Sequence, residues 1–174
     1  IFTKGGILGD DELAQRYQGM SSKDLVERVC DYDISRISVN CTTFDEEKTN
    51  KISRSESNNY ARARKRALEL LAEQGMNQDL YNQRLSITST PVTDYTIGDI
   101  FDLYKWGAER NIPVIIAPSM VSGKGRGLIK KAQDSEFQQR LIELYTEING
   151  WAVERGITDL EQLEEEGISA YAGT

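Results

Sequence analysis

Strand-like and helical segments alternate along this chain of 174 residues, and that order constrains its fold more than any composition figure. Alternating β and α elements join parallel strands through crossover helices, which gives a sheet in consecutive order with right-handed connections. The expectation is an α/β fold with about four parallel strands and helices on one face. The chain opens on Ile1-Phe2-Thr3-Lys4-Gly5-Gly6, the end of a strand entering a glycine turn. Parallel strands are normally paired on both sides. This opening therefore reads as an internal strand of a larger enzyme, and its free edge as a surface for self-association.

Apolar periodicity places the elements. A short helix covers Asp10 to Tyr17, with acidic residues in its first turn. Ser21 and Asp24 form a capping-box-like start for a helix carrying Leu25, Val26 and Val29 and ending near Asp31. Ile34 to Asn40 is dense in β-branched residues and predicts the second strand. Thr42 to Asn59 is polar and reads as a loop with one short helical turn. Tyr60, Ala63, Ala67, Leu68 and Leu71 recur at helical steps, and Gly75 closes that helix. Arg84 to Thr90 alternates and stops at Pro91, giving a third strand. Thr96 and Asp99 open a helix carrying Ile97, Ile100, Phe101, Tyr104 and Ala108. Pro113 to Pro118 is the fourth strand, apolar as a central parallel strand should be. The glycine-rich stretch Ser119 to Gly127 precedes the longest helix, about Asp134 to Arg155. Residues 157–174 read as a short acidic helix and an extended tail beyond a unit spanning 1–156.

Composition then removes functions. A net charge of −7 disfavours nucleic acid as a partner, because phosphate binding needs excess Lys and Arg. The basic run Arg62-Ala63-Arg64-Lys65-Arg66 reads as a solvated helix face. No apolar run reaches the ~18 residues of a membrane span, and the expected setting is the cytoplasm. The chain has no histidine and two cysteines, Cys30 and Cys41, which read as buried or half-buried thiols. That set is too small for a zinc or iron–sulfur site and offers no Ser-His or Cys-His pair. No metal ligand or catalytic residue is therefore assigned.

Ligand sites in parallel sheets lie beyond the carboxyl ends of the strands. Here those ends are Thr3-Lys4-Gly5-Gly6, Ser38-Val39-Asn40-Cys41, Thr88-Ser89-Thr90 and Ala117-Pro118-Ser119-Met120. Hydroxyl, amide and glycine residues recur at all of them. Such groups hydrogen-bond a polar ligand, although they are also common wherever strands become turns. Ser122-Gly123-Lys124-Gly125-Arg126-Gly127 lacks the Gly-Lys-Ser/Thr ending of a Walker loop and reads as a flexible loop, with anion contact as the alternative.

Phe2-Thr3-Lys4-Gly5 resembles the third-strand Thr-Asn-Gly element of radical S-adenosylmethionine (radical SAM) enzymes, with Lys4 in place of Asn. Ile37-Ser38-Val39-Asn40 is similar to that family's fourth strand, which often ends in Ser-Val-Asp. Asn50-Lys51-Ile52-Ser53-Arg54 is similar to the His-Asp-x-Ile-Arg stretch after it, and Arg54 keeps its place there, read either as a carboxylate contact or as a surface residue. Ala67 to Gly75, Leu85 to Thr90, Ile97 to Ala108 and Ile112 to Ile115 resemble the following helices and strands. Pro118, Ser122 and Gly123 resemble the loop of members that modify peptides or proteins, and Ala170-Tyr171-Ala172-Gly173 the lead into an auxiliary-cluster domain.

The resemblance implies the C-terminal portion of a partial (β/α) barrel with helices on its outer face. It implies an intact enzyme holding a 4Fe-4S cluster on three cysteines upstream of Ile1 and cleaving S-adenosylmethionine, with a peptide or protein substrate. It also implies that Ser38, Asn40 and Thr88 approach the methionine and ribose parts of that cofactor. Thr3 and Gly5 would border it, and Ala117, Ser119 and Met120 would line its adenine. The segment alone would be inert. Two other readings stay open: a non-enzymatic α/β module binding an anion or nucleotide at residues 122–127, and part of an aldolase-like barrel.

Overall fold

The computed structural model describes residues 1–53, 59–78, 84–118, 134–159 and 161. Four strands form one parallel sheet in the order β1-β2-β3-β4: Phe2–Thr3, Ile37–Asn40, Leu85–Val92 and Val114–Pro118. Between β1 and β2 lie α1 (Gly6–Gly9), α2 (Asp11–Gln18) and α3 (Ser22–Cys30). Between β2 and β3 lie α4 (Glu46–Ser53) and α5 (Tyr60–Glu73). A 3-10 turn (Ile97–Asp99) leads into α6 (Ile100–Ala108) before β4, and α7 (Ser135–Glu154) follows.

The register fixes which side chains share a face. Phe2 pairs with Ser38, Ser38 with Ser86, Asn40 with Thr88, and Thr88 with Ile115. Alternation then sorts the strands into two sets. Ile37, Val39 and Cys41, Leu85 and Ile87, and Val114 and Ile116 are all buried in one core cluster with the helical residues Val26, Leu68, Leu71, Ile100 and Leu103. Of the other set, Ser38, Asn40, Thr88, Thr90, Ile115 and Ala117 are only half-buried. A parallel sheet is usually apolar on both faces. This one is apolar beneath the helices and largely polar on the other side.

Side-chain capping sets several helix starts. Asp10 accepts from Leu13 N at 3.0 Å, Ser21 from Asp24 N at 3.1 Å, and Asp134 from Glu136 N at 3.1 Å. These satisfy amides that have no partner within their own helix. Glu46 works across elements: its two carboxylate oxygens accept from Ala61 N and Arg62 N at 3.0 and 2.9 Å. The first residue of α4 therefore holds the first turn of α5, where a negative charge also suits the helix dipole.

Four expectations change. The polar stretch after β2 contains the two-turn helix α4, held by Asp45 accepting from Lys48 N at 2.8 Å and by buried Thr49, so it needs no apolar stripe. The strand β2 begins at Ile37 rather than Ile34. Strand β3 runs through Pro91 to Val92, because the ladder to β4 is irregular between Ser89 and Val92 and Pro91 has no donor to lose there. In the basic run, Arg62 and Arg66 are exposed, whereas Arg64 is 6% exposed and Lys65 sits 5.5 Å from the Phe44 ring centroid and 5.9 Å from that of Trp106. No described helix is long and apolar enough to cross a membrane.

Candidate functional site

The half-open face concentrates polar groups toward the carboxyl ends of β2 and β3. Ser86, fully buried, donates to Ser38 Oγ at 3.0 Å, and Ser38 Oγ lies 2.6 Å from Thr88 Oγ1. Either hydroxyl of the Ser38–Thr88 pair can be the donor, because a hydroxyl oxygen that accepts from Ser86 keeps a second lone pair. Thr88, at the end of the ladder, therefore has either a proton or a lone pair left for a ligand. Next along the strands, Asn40 donates from Nδ2 to the Thr90 carbonyl at 2.9 Å and keeps an acceptor at Oδ1. The result is a neutral ladder that offers both donors and acceptors to a polar ligand. It contains no general base.

Of the residues singled out in the sequence, Ser38, Asn40 and Thr88 come together on this face. Ala117 lies on the same face of β4 by alternation with Ile115. Thr3 and Gly5 do not join them. Thr3 pairs with Val39 and so belongs to the helix side, and its hydroxyl accepts from Gly5 N at 3.1 Å, which shapes the turn. Gly5 has φ of 75°, and a Cβ there would meet Val39 Cγ1 at 2.9 Å. Ser119, Met120, the stretch 122–127 and Arg54 lie outside the described residues. Ser86 was not singled out, although Ser86-x-Thr88-x-Thr90 shows the period-two pattern of one strand face.

The loops after β2 and β3 are tied together. Lys48 of α4 donates to Asp99 Oδ1 at 2.6 Å, and that bond holds the lysine pKa above its ordinary value. Lys48 and Lys51 both approach the Tyr95 ring, at 5.9 and 5.5 Å from its centroid. The pair is partly exposed, so its effect is alignment of the two loops more than stability.

Behind the carboxyl ends of β1 and β2 lies a second polar group, on the helix side. Arg64 stacks on Tyr60 at 4.3 Å, beside the buried Cys41 thiol, and its Nε is buried without a hydrogen-bond partner. A cation–π contact contributes about 0.5–2 kcal/mol. Removing a charge from water costs several kcal/mol, so that stacking alone does not balance the burial.

Burial pushes the Cys41 thiol up to about 11, with the Arg64 charge and a backbone hydrogen bond at Thr43 opposing the shift only in part. A pKa raised on folding means that the unfolded chain releases this proton first. Stability is therefore complete below the thiol's ordinary range and declines as pH rises toward the folded value. We expect unfolding free energy to fall by about 1.4 kcal/mol per pH unit from pH ~9 to ~11 on this account. Urea titrations of wild type and Cys41→Ala across that range check it: the variant should lose this component of the slope, and parallel curves would contradict the assignment.

No group of three or more Asp, Glu, Cys or His among the described residues is arranged to hold a metal ion. Comparison with protein-family models, curated proteins and solved structures finds no match.

Proposed function

We propose that this chain forms part of the barrel of a radical SAM enzyme and that the half-open face of its sheet receives S-adenosylmethionine. The observation that carries the reading is the ladder Ser86–Ser38–Thr88 with Asn40 above it, on the half-open face of a consecutively ordered parallel sheet. In a partial (β/α) barrel that face lines the interior, and the carboxyl ends of its strands border the ligand. A methionine and ribose moiety presents hydroxyl, amino and carboxylate groups, which a ladder of neutral donors and acceptors suits. The sequence motifs around Phe2–Gly5 and Ile37–Asn40 point to the same strands.

When bound, the cluster and S-adenosylmethionine would supply the carbon radical, and the three upstream cysteines proposed from the resemblance would hold the cluster. The residues of this chain orient the cofactor's polar groups and tie the loops beside it. A peptide or protein substrate remains part of the proposal through the resemblance of the Pro118 loop. The test is anaerobic. The full polypeptide carrying this chain, with the residues that precede Ile1, is supplied with iron, sulfide, a reductant and S-adenosylmethionine, and 5′-deoxyadenosine is measured. We expect its formation to depend on the cofactor and the reductant. A reduced protein with an assembled cluster that yields none contradicts the reading.

A further inference from the structure

Arg64 is the one charged side chain of the described core whose surroundings do not account for its charge. It is 6% exposed, forms no ion pair with any described residue, and leaves Nε buried and unpartnered. Two neutral groups flank it: the Tyr60 ring covers one guanidinium face at 4.3 Å, and Cys41, held as a thiol by burial, lies beside it. Buried guanidinium groups are ordinarily matched by an anion, because a lone charge in a dry interior is costly. Stacking on a ring is a smaller effect than that desolvation.

Position adds to this. Arg64 lies in the second turn of α5, and long helical side chains lean toward the helix N-terminus. That end of α5 lies beside the carboxyl ends of β1 and β2: a Cβ on Gly5 would come within 3.9 Å of the Arg64 Cα, and one on Gly6 within 3.1 Å of the Tyr60 ring. Glycine at both positions lets the β1 turn approach the Arg64 backbone and the Tyr60 ring closely. One of the guanidinium N–H groups bonds the Cys41 sulfur, while Nε on its edge stays buried without a partner. That edge presents parallel N–H groups which match two oxygens of a carboxylate or phosphate.

We propose that Arg64 is the cation of a small oxyanion site behind the carboxyl ends of β1 and β2, taking one carboxylate or phosphate group bidentately. Cys41 belongs to the helix-facing set of strand residues, so this site is separate from the hydroxyl ladder and does not depend on its reading.

Thermal unfolding of the whole chain tests it, with sodium phosphate and sodium acetate each compared with sodium chloride at equal ionic strength. The wild type should gain several degrees in a saturable manner with at least one of the two anions, and the responsive anion names the ligand class. Arg64→Met, of similar length and uncharged, should lose the gain. Arg64→Lys, which keeps the charge without the fork, should need roughly tenfold more anion. If Arg64→Met does not fold, the Arg64 Nε–H resonance of the wild type, identified by its absence from Arg64→Lys, is followed during the same titrations and should move. A wild type indifferent to both anions, an Arg64→Met that responds like wild type, or an unmoved resonance overturns the proposal.

Discussion

Replacing Gly9 by alanine is expected to lower the stability of the fold by more than about 3 kcal/mol. The last residue of α1 packs so closely on α5 that a Cβ at Gly9 would occupy the space of the Ala63 carbonyl oxygen, and would lie 2.6 Å from Ala67 N and 2.8 Å from Ala63 C. These are backbone atoms within a helix, so no rotamer change relieves the overlap. Helix α1 would have to withdraw from α5, uncovering Leu8 and Ala67, both part of the core. Overpacking a core commonly costs about 1–3 kcal/mol when side chains can yield. A backbone clash should exceed that range, in a fold whose total stability is on the order of 5–15 kcal/mol. Gly150 supplies the opposite sign, being an exposed residue of α7 with nothing within 4 Å of an added Cβ. Alanine there should stabilise by about 0.5–1 kcal/mol through helix propensity. Urea unfolding followed by circular dichroism measures both. A Gly9→Ala midpoint close to wild type would mean that α1 does not sit against α5 as described.

If the proposed function holds, filling the half-open sheet face should abolish S-adenosylmethionine binding while the chain stays folded. Ser38→Leu adds an apolar branch where the ladder has a half-buried hydroxyl, away from the helix-covered core. S-adenosylmethionine affinity of the reconstituted full polypeptide should fall by more than about 100-fold, because bulk displaces the ligand as well as its hydrogen bonds. Thr88→Val is milder. It keeps the shape and removes the hydroxyl that ends the ladder, so loss of one neutral hydrogen bond predicts roughly a tenfold weakening. Equilibrium dialysis with labelled S-adenosylmethionine gives both numbers, and circular dichroism reports the fold. Equal affinity in Ser38→Leu and wild type would place the cofactor elsewhere.

The architecture was legible because its signals are local. Strand–helix alternation and the periodicity of Tyr60 to Leu71 led to a parallel sheet in consecutive order and to a helix within one residue of its observed end. Helix α4 was not legible, since its Asp45 cap, buried Thr49 and the Glu46 carboxylate on α5 replace the apolar stripe that a sequence reader looks for. The site divides the same way. Ser38, Asn40 and Thr88 meet because strand ends gather in space, which alternation and order foretell. Thr3 falls on the other face because register pairs it with Val39, and a strand of 2 residues carries too little alternation to show that. Arg64 was readable, since it stands four residues after Tyr60 and four before Leu68 on the apolar stripe. The charges around it suggested solvent instead.

The most direct measurement is a structure of the full polypeptide with S-adenosylmethionine bound. The account predicts the cofactor on the half-open face, with polar atoms in hydrogen-bond range of Thr88 Oγ1 and Asn40 Oδ1 and its adenine toward the end of β4 near Ala117. Cofactor seated among the helices, at another sheet edge, or on a different part of the polypeptide would contradict it.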